Sequence, residues 1–361
     1  MSPNGLYLAS GDEDHNLIIW NTRSGKIVRQ YKLPNKIIDN VEWCPVMDMC
    51  VLAVANEDKV HLIGPELYRR DITNLTRDHF NAAAKTYEVD AAASDKKELL
   101  SKWVFHYHNS RKAKAAGEEV ADVHNHILVT IEFKHVISRL SWHSKGDYLS
   151  TMAHNIQSTS QVLIHSIGQA VTQKPFSTTN GIIQCVSFHP TKPHFFACTQ
   201  TTVFQYNLQK QSIVSKYRSG AKWISSISMH PKGDNFILGT YDKKVLWFDM
   251  DMSGEAPYKS LKYHEKAIRK VSYHSNAKYP LFASASDDGA INIFYGMVYN
   301  DLLQNALVVP VKVLKGAHSR TRIHAKTQQK IHKLGTMSCV WHPQQPWLFS
   351  AGADGSIKLW V

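Results

Sequence analysis

The chain has no long apolar run: its hydrophobic stretches are short strand-like pieces such as "HILVTIEF" (126–133), against the roughly 18–20 residues a membrane-spanning helix requires. No transmembrane segment is therefore expected. The opening residues "MSPNGLYLASGDEDHN" carry neither a basic n-region nor an apolar h-region, so no secretory signal is read. The five cysteines, Cys44, Cys50, Cys185, Cys198 and Cys339, form no C-x-x-C pair and sit in apolar surroundings. That pattern predicts buried free thiols and a reducing compartment, cytosol or nucleus.

Frames for chemistry are missing as well. There is no G-x-S-x-G elbow to activate a serine, no G-x-x-x-x-G-K-[ST] loop to cradle a phosphate and no H-E-x-x-H zinc helix. His106 with His108, and His124 with His126, make H-x-H pairs, but i,i+2 residues do not share a helix face and no third ligand is spaced to complete a tetrahedral site. No catalytic residue, metal ligand or cofactor is assigned, and the chain is not read as an enzyme.

What is present is a length of 361 residues, enough for a large core, and a formal net charge of +12 with a pI near 9.3. Such an excess of cations favours attraction to polyanions such as nucleic acid, or it is simply a solvated basic surface. Composition leaves both readings open.

The informative feature is a repeat. "VEWCP" (41–45), "LSWHS" (140–144), "VSFHP" (186–190), "ISMHP" (227–231), "VSYHS" (271–275) and "CVWHP" (339–343) are variants of one unit, with a remnant at Ser2-Pro3 making seven. Their ends lie 42, 99, 46, 41, 44 and 68 residues apart, so four of the six intervals suit a four-stranded blade and two hold insertions. An aromatic residue follows at a nearly fixed distance: Trp20, Tyr206, Phe248, Phe294 and Trp360. Six residues before four of these lie Asp14, Asp242, Asp288 and Asp354. Asp, often followed by Gly, between alternating apolar runs is a hairpin signal, so these are read as turn residues between a blade's second and third strands. Likewise His143, His189, His230, His274 and His342 recur with the repeat, and a position that keeps the fold's period serves the fold.

This is the WD-repeat pattern, and it predicts an all-β, seven-bladed β-propeller. The last blade ends after three strands, at Trp360, and the first begins with most of its innermost strand absent. Ring closure is therefore expected to need a strand upstream of Met1, the chain being read as a C-terminal piece of a longer protein. Residues 1–67 are assigned to blades one and two, 68–126 to an insertion, and 127–361 to blades three to seven. The insertion is expected to be partly helical or disordered, with one amphipathic helix around 95–108 from the spacing of Leu99, Leu100, Trp103 and Val104. A second insertion, "GAHSRTRIHAKTQQKIHKLG" (316–335), has no acidic residue. Its Arg320, Arg322, Lys326, Lys330 and Lys333 are candidate RNA phosphate contacts, since that role needs charge density rather than fixed geometry.

Loops entering each blade and the turns between second and third strands gather on one propeller face. There Lys222, Trp223, Tyr241, Lys243, Lys244, Lys266 and Arg269 combine aromatic and cationic groups of the kind enriched at protein interfaces, and are the candidate partner-binding residues.

Four stretches go beyond a generic WD repeat. "GIIQCVSFHPTKPHFFACTQ" (181–200), "GAKWISSISMHPKGDNFILGTYDKKVLWFDMD" (220–251), "PYKSLKYHEKAIRKVSYH" (257–274) and "VWHPQQPWLFSAGADGSIKLW" (340–360) closely resemble the C-terminal propeller of the Erb/Bop (block of proliferation) family of ribosome-assembly factors. The resemblance implies a non-catalytic scaffold in large ribosomal subunit biogenesis and ribosomal RNA maturation, in nucleolus and nucleoplasm. It implies docking onto a second WD-repeat propeller protein, within a complex holding a Pescadillo-type protein that is engaged through a region preceding this one. The pre-ribosomal particle and its RNA would be further partners, and a membrane would not. Two other readings remain open: a peptide-binding WD-repeat adaptor, and a propeller whose main role is RNA binding.

Overall fold

Alternating apolar residues bounded by Gly- and Asp-containing turns form strands throughout the computed structural model, which describes residues 1–33, 37–67, 76, 78–85, 100–106, 126–153, 156–178, 181–251, 254–299, 305–319, 322–323, 330–332 and 334–361. The strands group into seven antiparallel blade sheets and one small ribbon. The chain divides into two compact units, Met1–Thr179 and Asn180–Val361. Three blade sheets lie in the first unit and four in the second, a seven-bladed WD-repeat β-propeller fold.

In the first unit, β1 (Tyr7–Gly11), β2 (Asn16–Asn21) and β3 (Ile27–Lys32) make a three-stranded sheet. The second sheet contains β4 (Ile38–Trp43), β5 (Leu52–Asn56), β6 (Lys59–Ile63), β7 (Lys102–Phe105) and β8 (Ile127–Glu132), with β8 beside β6 and β7 outermost. The third holds β9 (Ile137–Trp142), β10 (Tyr148–Ala153), β11 (Val162–Ser166) and β12 (Val171–Gln173).

Two expectations are corrected here. Lys102–Phe105, placed by spacing in a helix around 95–108, is strand β7, because Trp103 and Phe105 pair with Ile131 and Val129 of β8 and Trp103 is buried there. Helix occurs instead at 78–85. Residues 127–132, assigned with blade three, are β8 of the second sheet, paired with β6 across the insertion. The repeat signature marks only the first strand of a blade, so an outer strand beyond a long insertion carries no label.

In the second unit the fourth sheet is β13 (Cys185–Phe188), β14 (His194–Cys198), β15 (Thr202–Asn207) and β16 (Ser212–Arg218). The fifth is β17 (Ile224–Met229), β18 (Asn235–Thr240), β19 (Val245–Asp249) and β20 (Lys259–Leu261). The sixth is β21 (Ile268–Tyr273), β22 (Leu281–Ser286), β23 (Ile291–Met297) and β24 (Leu307–Leu314). The ribbon β25 (Arg322–Ile323) with β26 (Lys330–His332) follows, and the seventh sheet is β27 (Thr336–Trp341), β28 (Leu348–Gly352) and β29 (Ile357–Trp360).

Within each unit the apolar cores lie between successive sheets. Phe196, Phe236, Phe248 and Tyr217 pack between the fourth and fifth, with Phe236 and Phe248 stacked at 4.8 Å. Ile237, Trp247, Tyr273, Phe282 and Phe294 pack between the fifth and sixth. Each such buried side chain contributes on the order of 1.5–3 kcal/mol. Polar pegs align the sheets: Trp341 Nε1 donates to Ser272 O at 3.0 Å and Trp142 Nε1 to Glu42 O at 3.2 Å.

The recurrent histidines have the same kind of job. His189 Nδ1 accepts the amides of Thr191 and Lys192, while Nε2 donates to Gly233 O of the next sheet at 2.9 Å. His274 caps Asn276 N in the same way and donates to Gln345 O at 3.0 Å. Burial lowers the pKa of both rings, which keeps one nitrogen an acceptor and one a donor at neutral pH. The five cysteines are buried free thiols. Among the described residues, no helix is long and apolar enough to cross a membrane, and no group of three or more potential metal ligands converges.

Candidate docking surface

In five sheets the pairing of the first strand with the second slips at one residue: Asp39, Ser138, Ser225, Arg269 and Met337 are the extra residues of these bulges. A bulge turns its side chain out of the regular alternation and re-aims it. At Arg269 the result is a fork onto Asp287, Nε to Oδ1 at 2.9 Å and Nη2 to Oδ2 at 2.6 Å. The guanidinium also lies over the Tyr241 ring, 5.4 Å from its centroid. Hydrogen bonding to Asp287 raises the arginine's pKa further, so the charge is permanent.

Tyr241 in turn sits against Trp223, with ring centroids 6.2 Å apart, and its amide donates to Trp223 O at 3.0 Å. Trp223 Nε1 donates to Gln184 Oε1 at 3.1 Å. A continuous ladder, Gln184–Trp223–Tyr241–Arg269–Asp287, thus runs across the fourth, fifth and sixth sheets. Its rings are not core: Trp223 is 37% and Tyr241 39% exposed. Both are large apolar surfaces held in fixed orientation while facing solvent, the kind of group that anchors an interface.

Four lysines lie on the loops that carry or adjoin this ladder. Lys222 donates its amide to Asp242 Oδ2, and Lys243 and Lys244 complete the turn after Tyr241. Lys243 has φ 68°, where the matching turns have Gly289 and Gly355 at 76°. A lysine there bears a backbone cost of about 1–2 kcal/mol that glycine avoids. Lys266 lies in the loop entering β21, its carbonyl accepting Ser286 Oγ at 3.2 Å. The structure thus joins Trp223, Tyr241 and Arg269 directly and sets the four lysines on the adjoining loops. Gln184 and Asp287, which complete the ladder, do not stand out in the sequence; each precedes or follows a repeat strand, and that position is their only signal.

A buried polar set also escapes a sequence reading. His264 Nδ1 meets Asp288 Oδ2 at 2.9 Å and its Nε2 meets Ser284 Oγ at 2.7 Å. His318 repeats this with Asp354 at 3.1 Å and Ser350 at 2.8 Å, and Trp360 Nε1 donates to the same Ser350 Oγ at 2.8 Å. The order Ser–His–Asp matches that of a hydrolase triad, but Ser284 is 0% exposed and His318 1%. No acyl donor can reach these hydroxyls, so the sets act as struts that tie a blade's entry loop to its turn. The fifth sheet has Ala221 before its strand and Leu238 in place of the serine, so losing the histidine goes with losing its buried partner. A His shortly after a blade's outer strand, as in "YHEK" after β20 and "GAHS" after β24, is the available signal.

The basic segment is placed only in part. Arg322 and Lys330 lie in β25 and β26, paired as a ribbon. Arg320, Lys326 and Lys333 lie outside the described residues. Of the H-x-H pairs, His108 and His124 also lie outside them, His106 Nε2 meets Thr130 Oγ1 at 3.0 Å, and His126 packs on Tyr31.

The blade sheets, their Asp turns and the His–Asp–Ser struts define the chain as a WD-repeat β-propeller, and the WD domain, G-beta repeat family matches it at residues 1–21, 255–294 and 326–361. Comparison with known proteins carries this to a particular family. The chain is 41% identical over 361 residues to the ribosome biogenesis protein bop1 of Danio rerio, covering 100% of the chain and 42% of that protein. It is 41% identical over 366 residues to ribosome biogenesis protein ERB1 of Phaeosphaeria nodorum and 36% over 389 residues to ERB1 of Saccharomyces cerevisiae, covering 44% and 45% of those proteins. The chain is thus homologous along its whole length to ribosome biogenesis proteins named Bop1 and Erb1, and it spans less than half the length of these relatives.

Proposed function

We propose that this chain is a non-catalytic docking module in ribosome biogenesis, acting in assembly of the large subunit and maturation of its RNA in the nucleolus and nucleoplasm. The names of its relatives support the process. The docking role rests on one observation, the exposed Trp223 and Tyr241 rings laddered onto Arg269, with Lys222, Lys243, Lys244 and Lys266 on the same or adjoining loops. Preset aromatic rings lose little entropy when covered, and the lysines favour an acidic partner surface. The partner that fits the family reading is a second WD-repeat propeller protein, in a complex with a Pescadillo-type protein bound by another region. The segment carrying Arg320, Arg322, Lys326, Lys330 and Lys333 is a second, electrostatic contact for pre-ribosomal RNA.

The test is a pull-down from nucleolar extract with and without ribonuclease, comparing the wild type with Trp223→Ala/Tyr241→Ala. A WD-repeat partner retained after ribonuclease by the wild type and lost by the double variant supports docking through the ladder. Recovery of ribosomal proteins only while RNA is intact would move the main role to the basic segment.

A further inference from the structure

The first unit contains a cavity of about 360 Å³ at one end of the third sheet, within the size range of small-molecule sites. It is bounded by the loop leading from β8 into β9, the ends of β10 and β12, and the loop before β11, and it opens to solvent. Among the described residues its lining includes two lysines, Lys134 and Lys174, together with the His135 imidazole, and no carboxylate. Hydroxyls of Thr151, Ser158 and Ser160 and the amide of Gln161 add neutral donors, while Ile137 and Leu163 give one wall an apolar surface.

The walls are fixed from behind. Thr151 Oγ1 meets His165 Nε2 at 2.9 Å, and His165 Nδ1 meets Thr172 Oγ1 at 2.9 Å. Trp103 Nε1 and Ser101 Oγ also converge on Thr172 Oγ1, at 3.0 and 2.6 Å. His165 is 0% exposed, and burial lowers its pKa to about 3, so this strut is uncharged and leaves the positive charge to the rim. Phe133, another lining residue, packs edge-on against the same His165 ring at 5.4 Å. The turn before β11 is held by Ser160 N donating to Ser158 Oγ at 3.2 Å and Gln161 N to Ser158 O at 3.0 Å.

We infer that this cavity binds a small phosphomonoester, its phosphate among Lys134, His135, Lys174 and the serine hydroxyls, and its body against Ile137 and Leu163. Two lysines and an imidazole beside several hydroxyl donors match the three acceptor oxygens and near-double charge of a phosphate better than the two oxygens and single charge of a carboxylate. The inference is independent of the docking reading, because the ladder lies in the other unit.

The experiment is titration calorimetry of the whole chain with adenosine 5′-monophosphate, uridine 5′-monophosphate, ribose 5-phosphate and inorganic phosphate, alongside adenosine, uridine and ribose. Phosphorylated probes are expected to bind and the phosphate-free ones not. Ribose 5-phosphate matching the nucleotides would identify a sugar phosphate as the body, and nucleotides binding more tightly would identify a nucleoside. Lys174→Ala and Lys134→Ala should each weaken binding by about tenfold or more, the scale of one charge-assisted hydrogen bond. Lys174→Arg should retain most of it, and Lys145→Ala, on a different turn, should leave it unchanged. Circular dichroism of each variant checks that the fold is kept. Equal binding of phosphorylated and phosphate-free probes, no binding of any probe, or indifference to both alanine variants would each overturn the proposal.

Discussion

Replacing Asp288 by alanine tests whether the buried struts hold the blades. Its Oδ2 accepts from His264 Nδ1 at 2.9 Å and Glu265 N at 3.0 Å, its Oδ1 from Ala290 N at 2.8 Å, and its side chain is only 8% exposed. The variant leaves three donors without their acceptor, one on a ring that still needs Ser284. A loss of about 3 kcal/mol is expected, the scale of breaking a buried hydrogen-bonded charge. Asp242→Ala is the comparison: that turn faces Ala221 rather than a histidine, and its carboxylate accepts the exposed Lys222 amide. About 1 kcal/mol is expected there. Urea unfolding gives the difference, and hydrogen exchange at the Glu265 and Ala290 amides gives its location. The two variants losing equal stability, or unchanged exchange at those amides, would refute the reasoning.

The same carboxylate sets a pH dependence. Burial alone would raise the Asp288 pKa, but the hydrogen bonds from His264, Ala290 and Glu265 outweigh it and bring it from 3.8 to about 2. A depressed folded-state pKa means the stabilisation is complete above the unfolded value and is lost as pH falls toward the folded one. Wild type should therefore lose about 2 kcal/mol more than Asp288→Asn between roughly pH 4.5 and 2, allowing for partial solvent screening. Urea midpoints measured across that range check it.

Gly233→Ala should destabilise by roughly 2–3 kcal/mol in urea unfolding, because φ is +79° and a Cβ would run into the His189 ring that bonds Gly233 O. Lys243→Gly should raise stability by roughly 0.5–1 kcal/mol in the same assay while weakening partner binding, since it relieves the left-handed backbone and removes a rim charge. Neutralising Arg320, Arg322, Lys326, Lys330 and Lys333 together should reduce the slope of log affinity against log salt for single-stranded RNA by about 3; an unchanged slope would exclude the segment from RNA contact.

The repeat is legible because its first strand carries a dense signature, an aromatic residue followed by His-Pro, and each part of that signature has a structural role. Trp341 pegs to Ser272, and His189 caps a turn and reaches Gly233. The Asp turns are legible for the same reason. Outer strands carry no such roles, so β7 reads as helix from the spacing of Trp103 and Val104, although its partner β8 and not its own periodicity decides its conformation. The docking ladder is half legible. Trp223, Tyr241 and Arg269 stand out as aromatic or cationic loop residues, but Gln184 and Asp287 are ordinary by composition and gain meaning only from the Trp223 indole and the bulged Arg269 that meet them. The His264 and His318 struts span 24 and 36 residues to their aspartates, too variable a spacing to read as a motif.

The measurement that bears most directly on the account is the affinity of the purified WD-repeat partner for this chain, by calorimetry at physiological salt, with wild type, Trp223→Ala and Tyr241→Ala. The rings are exposed, so both variants should fold with urea midpoints near wild type while binding falls by about thirtyfold or more, the loss typical of a hot-spot residue. Wild-type affinity in both folded variants would contradict docking through the ladder.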